Sequence, residues 1–140
     1  MRIIGGELKG KKIQHLRSSV TRPLRDFVKE SIFNIIFHSS LIKVKINNSR
    51  ILDMYSGVGS FGIECISHEA KKVTFVEKDP MAQNILTRNL KSLGIEKKSL
   101  IFKRDIKSFF SNKIENKFDI FFLDPPFASD DYLENLIKIK

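Results

Sequence analysis

The chain has 140 residues, with 25 lysine or arginine against 16 aspartate or glutamate residues and a net charge of +9. This length favours a single domain with a hydrophobic core. The sequence contains no apolar run long enough for a membrane span and no secretory leader, so we expect a cytoplasmic protein with no membrane partner. Its single cysteine excludes an internal disulfide, and its three scattered histidines predict no metal site. We also expect a monomer.

The positive charge is concentrated in the first third of the chain. Residues 1–50 hold 11 Lys/Arg against 3 Asp/Glu, a net of +8, whereas residues 51–140 hold 14 against 13, a net of +1. A basic segment joined to a nearly neutral body is typical of a polyanion-binding arm on an enzyme. We therefore divide the chain into a basic arm and helix, residues 1–49, and a catalytic body, residues 50–140.

The arm begins with short apolar stretches broken by glycines, which predicts a small irregular hairpin. A helix follows from Leu24 to about His38, because its apolar residues recur at helical spacing. Cations near a helix start oppose the helix dipole, so we interpret them as phosphate ligands rather than as helix-stabilising residues. The predicted RNA contacts are Arg2, Lys9, Lys11, Lys12, Arg22, Arg25 and Lys29.

Strands and helices alternate after residue 50, which predicts an α/β fold with a parallel sheet and right-handed crossovers. The fourth strand is almost wholly apolar, so we expect it to be buried on both faces. The predicted strands are Arg50–Met54, Lys72–Glu77, Ser99–Lys103 and Phe118–Leu123. The predicted helices are Ser60–Glu69, Pro80–Leu93, Ile106–Phe110 and Asp131–Lys140.

A glycine-rich turn follows the first strand, with the spacing Gly57-x-Gly59-x-x-Gly62. Glu77 comes 20 residues after Gly57, where a ribose-binding acid is expected, so the pattern alone is compatible with NAD. Asp53 at the end of the strand favours a different ligand, because its charge would repel a pyrophosphate and attract a sulfonium. The Asp-x-x-x-Gly-x-Gly arrangement resembles motif I of the S-adenosylmethionine (SAM)-dependent methyltransferases. A tight turn with no ligand is the remaining alternative.

Four acids lie at or just after the carboxyl ends of the predicted strands: Asp53, Glu77, Asp105 and Asp124. Ligands of open α/β sheets bind at that edge, so we expect the four side chains to line one site. Any one of them alone could instead be a helix cap.

The segment Asp124-Pro125-Pro126-Phe127 resembles motif IV of enzymes that methylate exocyclic amines of nucleobases. The lone pair of such an amine is delocalised into the ring, so acceptors that hold its N–H groups make it a better nucleophile. The Asp124 carboxylate and the Pro125 carbonyl are such acceptors, and the two prolines keep them rigid. Phe127 offers a face on which a flipped-out base can stack. A rigid loop after a strand is the structural alternative.

The N-terminal sequence resembles that of the bacterial 16S ribosomal RNA guanine-N2 methyltransferases of the small-subunit type. Lys29 stands where that family usually has arginine, and Leu24-Arg25 replaces a threonine-rich pair. The resemblance implies a Rossmann-like methyltransferase fold with strand order 3-2-1-4, SAM as cofactor, and 16S rRNA as substrate, within a small-subunit ribosomal particle. The matching residues are Thr21, Arg22, Pro23, Val28, Lys29, Glu30, Phe33 and Asn34.

The resemblance also implies roles for the residues of the cofactor site. Glu77 would accept the ribose hydroxyls, Asp105 would accept the adenine amine with Ile106 against the ring, and Asp53 would lie near the methionine end. Gly57 and Gly59 would let the cofactor approach the backbone. The complete predicted cofactor site is Asp53, Tyr55, Gly57, Gly59, Glu77, Lys78, Asp105 and Ile106.

The chain is short for this family, and the resemblance implies that the last three strands are missing. We expect either an incomplete reading frame, which we favour, or a second chain that covers the exposed edge of the fourth strand. Two other functions stay open: an NAD-binding oxidoreductase, and an RNA-binding remnant without catalytic activity.

Overall fold

The structure is a computed structural model that describes residues 1–17, 24–112, 117–126, 128–130 and 132–139. Its centre is a four-stranded sheet in the order β3-β2-β1-β4, in which every neighbouring pair is parallel. The predicted α/β fold and its strand order are confirmed. The strands are β1 (Arg50–Met54), β2 (Lys72–Val76), β3 (Ser99–Phe102) and β4 (Ile120–Leu123).

Local signals in the sequence explain where the helices begin and end. Asp79 caps the longest helix, since its side chain accepts a hydrogen bond from the N–H of Ala82, and Gly94 closes that helix in a left-handed conformation. Asp105 caps the next helix in the same way through the N–H of Ser108. The helices are α1 (Asp26–His38), α2 (Ser60–Ser67), α3 (Pro80–Leu93), α4 (Ile106–Ser111) and α5 (Tyr132–Ile137).

Several predicted boundaries were wrong by one or two residues. α1 begins at Asp26 rather than Leu24, and α2 ends at Ser67 because Glu69 adopts a positive φ of 66° in the turn toward β2. β2 and β3 each end one residue earlier than predicted, and α4 ends one residue later. β4 is two residues shorter than predicted, and α5 is shorter than the predicted last helix, whose first and last residues lie outside the described part of the chain.

The prediction that β4 is buried on both faces was wrong. All four of its residues are only half-buried. β4 pairs with β1 along one edge, and within the described residues no other strand pairs with it. A strand at the edge of a sheet has no neighbouring strand on one side. A run of apolar residues in the sequence does not by itself reveal that position.

The sheet is covered on both faces. Ile51 and Phe75 point to one face, where they join Leu86 of α3 and Phe33 of α1 in the larger core cluster. The neighbouring residues of β1 and β2 point to the other face and pack against α4 through Ile106. This two-faced packing holds the carboxyl ends of all four strands at one edge.

The predicted N-terminal hairpin is present and packs on the α/β body. Arg2 and Lys12 form an antiparallel bridge, and the N–H of Ile3 donates to the carbonyl of Lys11 at 2.9 Å. Ile3 and Ile13 belong to the same core cluster as the sheet. The hairpin therefore shares a core with the elements that carry the glycine turn.

Candidate active site

A cleft of about 1280 Å³ opens at the carboxyl edge of the sheet. Asp53, Glu77, Asp105 and Asp124 all line it, although 71 residues of sequence separate the first from the last. The parallel sheet brings them together because every strand that precedes one of these acids ends at the same edge. The roles of the individual acids stay predictions.

Asp53 is the most deeply placed of the four acids. It is 1% exposed, and its Oδ2 accepts a hydrogen bond from the N–H of Gly62 at 3.0 Å. Burial, reinforced by the nearby carboxylates of Asp124 and Glu77, raises the pKa of Asp53 to about 8. A cation in the cleft would favour the ionised form of this side chain.

The three glycines of the turn have different structural roles. Gly57 has a φ of 55°, and a Cβ added to it would meet no atom within 4 Å, so its missing side chain leaves the cleft open. A Cβ on Gly59 would lie 2.4 Å from a methyl of Leu86, and one on Gly62 would lie 2.3 Å from the ring of Phe75. Gly59 and Gly62 thus allow α2 to pack closely on the core, while Gly57 keeps the backbone accessible.

Glu77 is tied to the loops on both sides of it. Its Oε2 accepts from the N–H of Gly57 at 2.7 Å, and its Oε1 accepts from the N–H of Asp79 at 2.8 Å. An ionised carboxylate has roughly four acceptor positions, so about two stay available for ligand hydroxyls. Tyr55, which has a φ of 59°, and Lys78 also line the cleft.

Asp105 and Ile106 line the cleft at the start of α4. The hydrogen bond from the Ser108 N–H to the exposed Asp105 carboxylate, 2.7 Å long, lowers the pKa of Asp105. Ile106 is 4% exposed and belongs to the core under the sheet, so only its edge reaches the cleft. An ionised acceptor beside an apolar surface suits a planar, amine-bearing ring.

Asp124, Pro125 and Pro126 follow β4 directly and line the same cleft. Partial desolvation raises the pKa of Asp124 above its ordinary value. Phe127, the fourth residue of the motif, lies outside the described residues. Beside the motif, the rings of Phe61 and Phe122 line the cleft and stack with their centroids 3.7 Å apart, a feature that the sequence did not predict.

The arm reaches the cleft, which the sequence analysis did not foresee. Met1, His15, Leu16 and Arg17 all line it, and no chemistry had been assigned to His15. Arg104 and Lys107 lie on the cleft near the end of β3. Arg17 carried a usable signal, since it belongs to the basic segment, but nothing local in the sequence places His15 at the cleft.

The prediction that Lys29 contacts RNA was wrong. Lys29 is fully buried, and its Nζ lies 3.1 Å from a carboxylate oxygen of Glu64. The helical period explains this, because Lys29 stands four residues before the buried Phe33 on the same face of α1. Arg22 lies outside the described residues, together with Thr21 and Pro23. The other predicted RNA contacts, Arg2, Lys9, Lys11, Lys12 and Arg25, are exposed.

Two features are absent from the described part of the chain. No helix there combines the length and apolar character needed to cross a membrane. Nor do three or more His, Cys, Asp or Glu side chains there gather as a metal site would require.

Comparisons with known proteins agree with this geometry. A family model described as conserved hypothetical protein 95 matches residues 1–139. Ribosomal RNA small subunit methyltransferase D of Haemophilus influenzae is 38% identical over 129 residues, covering 91% of this chain and 64% of that protein. A Bacillus subtilis protein provisionally named rRNA methyltransferase YlbH is 35% identical over 129 residues, covering 91% and 67%. A solved Escherichia coli structure, provisionally named methyltransferase yhhF, has a TM-score of 0.81, 29% identity, and coverage of 99% and 70%.

The parallel sheet in the order 3-2-1-4, with its glycine turn, is the Rossmann-like architecture of the methyltransferases. The chain belongs to the conserved hypothetical protein 95 family, and the family resemblance predicted from its N-terminal motifs is confirmed. The chain spans about two thirds of the length of the two curated relatives, 64% of one and 67% of the other.

Proposed function

We propose that this chain transfers a methyl group from SAM to the exocyclic N2 amine of a guanine in 16S rRNA. One observation carries the proposal: Asp124-Pro125-Pro126, the glycine turn and the strand-end acids line a single cleft, which the basic arm also reaches. The name of the Haemophilus influenzae relative supports rRNA as the substrate class. A location in the cytoplasm, a monomeric state and a small-subunit particle as substrate belong to the same proposal.

The cleft fits a SAM-type methyl donor. Gly57 leaves free space where a Cβ would stand, Glu77 keeps acceptor positions toward the cleft, and Asp53 offers a buried carboxyl to a positive charge. The donor would supply a methyl group activated by a positively charged sulfur. Asp105 and the edge of Ile106 would hold an adenine, and the chain itself would orient the acceptor amine.

The residues after β4 would prepare that amine. The Asp124 carboxylate and the Pro125 carbonyl accept its N–H groups, which turns the nitrogen lone pair away from the base ring and toward the methyl donor. The N–H proton leaves to Asp124 or to solvent, and the raised pKa of Asp124 makes its carboxylate a better proton acceptor. Phe127 would stack on the flipped-out base.

The arm would hold the RNA. The hairpin carries the exposed cations Arg2, Lys9, Lys11 and Lys12, and the same arm supplies His15 and Arg17 to the cleft. Phosphate contacts from such cations would fix the register of the RNA. Arg17 and His15 line the cleft and would be the arm side chains that meet the RNA there.

Calorimetric titration with SAM, S-adenosylhomocysteine and NAD tests the cofactor assignment. We expect the first two to bind and NAD not to, because their cationic groups would stabilise the ionised form of the buried Asp53, whereas a pyrophosphate would gain no such interaction. Binding of NAD alone would replace the proposal with the oxidoreductase. Binding of 16S rRNA without any nucleotide cofactor would favour an RNA-binding remnant.

A further inference from the structure

Asn89 connects the arm to the glycine turn through buried hydrogen bonds. This α3 residue is 1% exposed, and its Oδ1 accepts from the N–H of Gln14 at 2.9 Å. Its Nδ2 donates to the carbonyl of Gln14 at 3.0 Å and to the carbonyl of Val58 at 3.1 Å. One side chain therefore fixes the backbone of the arm immediately before His15 and the backbone of the turn immediately after Gly57.

A second buried junction repeats this connection from α1. Besides its ion pair with Glu64, Lys29 donates to the carbonyl of Arg2 at 3.0 Å and to the hydroxyl of Ser60 at 3.3 Å. Glu64 in turn accepts from the N–H groups of Ile4 at 3.1 Å and Gly5 at 2.7 Å. The hairpin is thus joined to the residue that follows Gly59.

The two junctions reach the turn on both sides of Gly59, at Val58 and at Ser60. Buried polar groups of this kind must keep their partners, because an unpaired buried donor or acceptor is costly. A displacement of the arm would break the hydrogen bonds at Gln14, at Arg2, or at both. Asn89 and Lys29 would then no longer join the turn to the arm. Neither segment can move far without the other.

We propose that Asn89 and Lys29 are positioning residues that couple the two binding events, so that RNA held by the arm tightens cofactor binding at the glycine turn. The inference rests on the proposed function, because it needs both ligands to bind. By linkage, the cofactor then tightens RNA binding by the same factor. Neither side chain need touch the cofactor or the RNA.

The test measures the affinity of S-adenosylhomocysteine with and without small-subunit particles whose 16S rRNA lacks the modification. For the unaltered chain we expect the RNA to tighten that affinity by about fivefold or more, as typical coupled sites do. Asn89→Leu removes all three hydrogen bonds and should lower the factor clearly, although the junction at Lys29 remains. Asn84→Leu, an exposed position on the same helix, is the matched control and should leave the factor unchanged.

A second variant distinguishes a loss of coupling from a loss of the fold. Asn89→Asp keeps an acceptor for the Gln14 N–H but loses the donors to the carbonyls of Gln14 and Val58, so it should lower the coupling while one hydrogen bond to the arm remains. Amide hydrogen exchange supplies an independent reading: Gln14 should exchange faster in Asn89→Leu and remain protected in Asn84→Leu.

The outcomes separate the inference from the proposed function. If both ligands bind the unaltered chain but neither affects the other, the coupling is refuted and the proposed function stands. The coupling is also refuted if both Asn89 variants fold and retain the full factor. If S-adenosylhomocysteine does not bind at all, the proposed function fails and the inference fails with it.

Discussion

At the residue scale, Asp53 has the most unusual environment of the four acids in the cleft. Its pKa of about 8 is far above the value of about 4 expected in the unfolded chain. The folded state therefore holds this proton more tightly than the unfolded state does, and the free energy of unfolding should fall as pH rises from about 4 to about 8. A difference of this size corresponds to on the order of 5 kcal/mol.

Asp53→Asn tests this assignment directly. The amide oxygen still accepts a hydrogen bond from the Gly62 N–H, but the amide group does not ionise. The free energy of unfolding should therefore fall less between pH 5 and 8 than it does for the unaltered chain. Urea unfolding at a series of pH values measures the change. A variant with the same decline as the unaltered chain would show that another group titrates.

Asp124 is the residue on which the proposed chemistry depends. Asp124→Ala should lower the rate of methyl transfer by about 10²- to 10⁴-fold, because the target amine loses a positioned acceptor. SAM affinity should stay nearly unchanged, since Asp53, Glu77 and Asp105 are left in place. Single-turnover kinetics with labelled SAM measures the rate.

The matched control is Asp130→Ala, an exposed acid a few residues further along the same loop, which should turn over normally. If Asp124→Ala retained normal turnover, the amine mechanism would be wrong. If it abolished SAM binding instead, Asp124 would belong to the cofactor site.

At the scale of elements, the glycine turn contains its own matched pair of variants. Gly62→Ala places a methyl against the ring of Phe75 and should destabilise the fold by about 1–3 kcal/mol, with SAM affinity kept in the folded fraction. Gly57→Ala meets no protein atom, so its cost in stability should be only the left-handed backbone, about 1–2 kcal/mol.

The two variants should differ most in ligand binding. The Gly57→Ala methyl enters the cleft and should weaken SAM binding by tenfold or more. Thermal unfolding and calorimetry together measure both quantities. Equal SAM affinity in the two variants would mean that the cofactor does not approach Gly57.

The arm should carry the salt dependence of RNA binding. Changing Lys9, Lys11 and Lys12 to Gln should flatten the slope of log affinity against log salt by roughly two to three. The control changes Lys71, Lys97 and Lys98 to Gln, three exposed lysines just before the amino ends of β2 and β3, and should leave the slope unchanged. A loss of affinity that is equal at every salt concentration would indicate misfolding rather than lost phosphate contacts.

Local signals predicted much of what these elements do. The caps at Asp79 and Asp105, and the glycine that ends α3, act over three or four residues, so signals of this kind lie in the local sequence, although Asp105 had been assigned to the adenine and a cap was only the alternative. Lys29 could not be placed from its charge, because its burial depends on Glu64, 35 residues further along the chain. The arm's position at the cleft likewise depends on Asn89, which lies 75 residues from Gln14.

At the scale of the whole molecule, the parallel sheet and the common edge of the four acids followed from the alternation of strands and helices, whereas the strand order came from the family resemblance. That rule is general for parallel α/β sheets and needs no side-chain detail. The burial of β4 could not be predicted from its apolar sequence. The exposure of a strand at the edge of a sheet depends on what lies beside it, and a run of apolar residues does not specify that neighbour.

The central claim is that one cleft brings a methyl donor to an RNA amine, and the most direct test identifies the product. The chain is incubated with SAM carrying a labelled methyl group and with small-subunit particles that lack the modification, and the rRNA is then digested to nucleosides for mass spectrometry. We predict label in N2-methylguanosine, absent when Asp124→Ala replaces the unaltered chain. Label in a methylated adenine or cytosine instead, or equal labelling by both chains, would contradict the account.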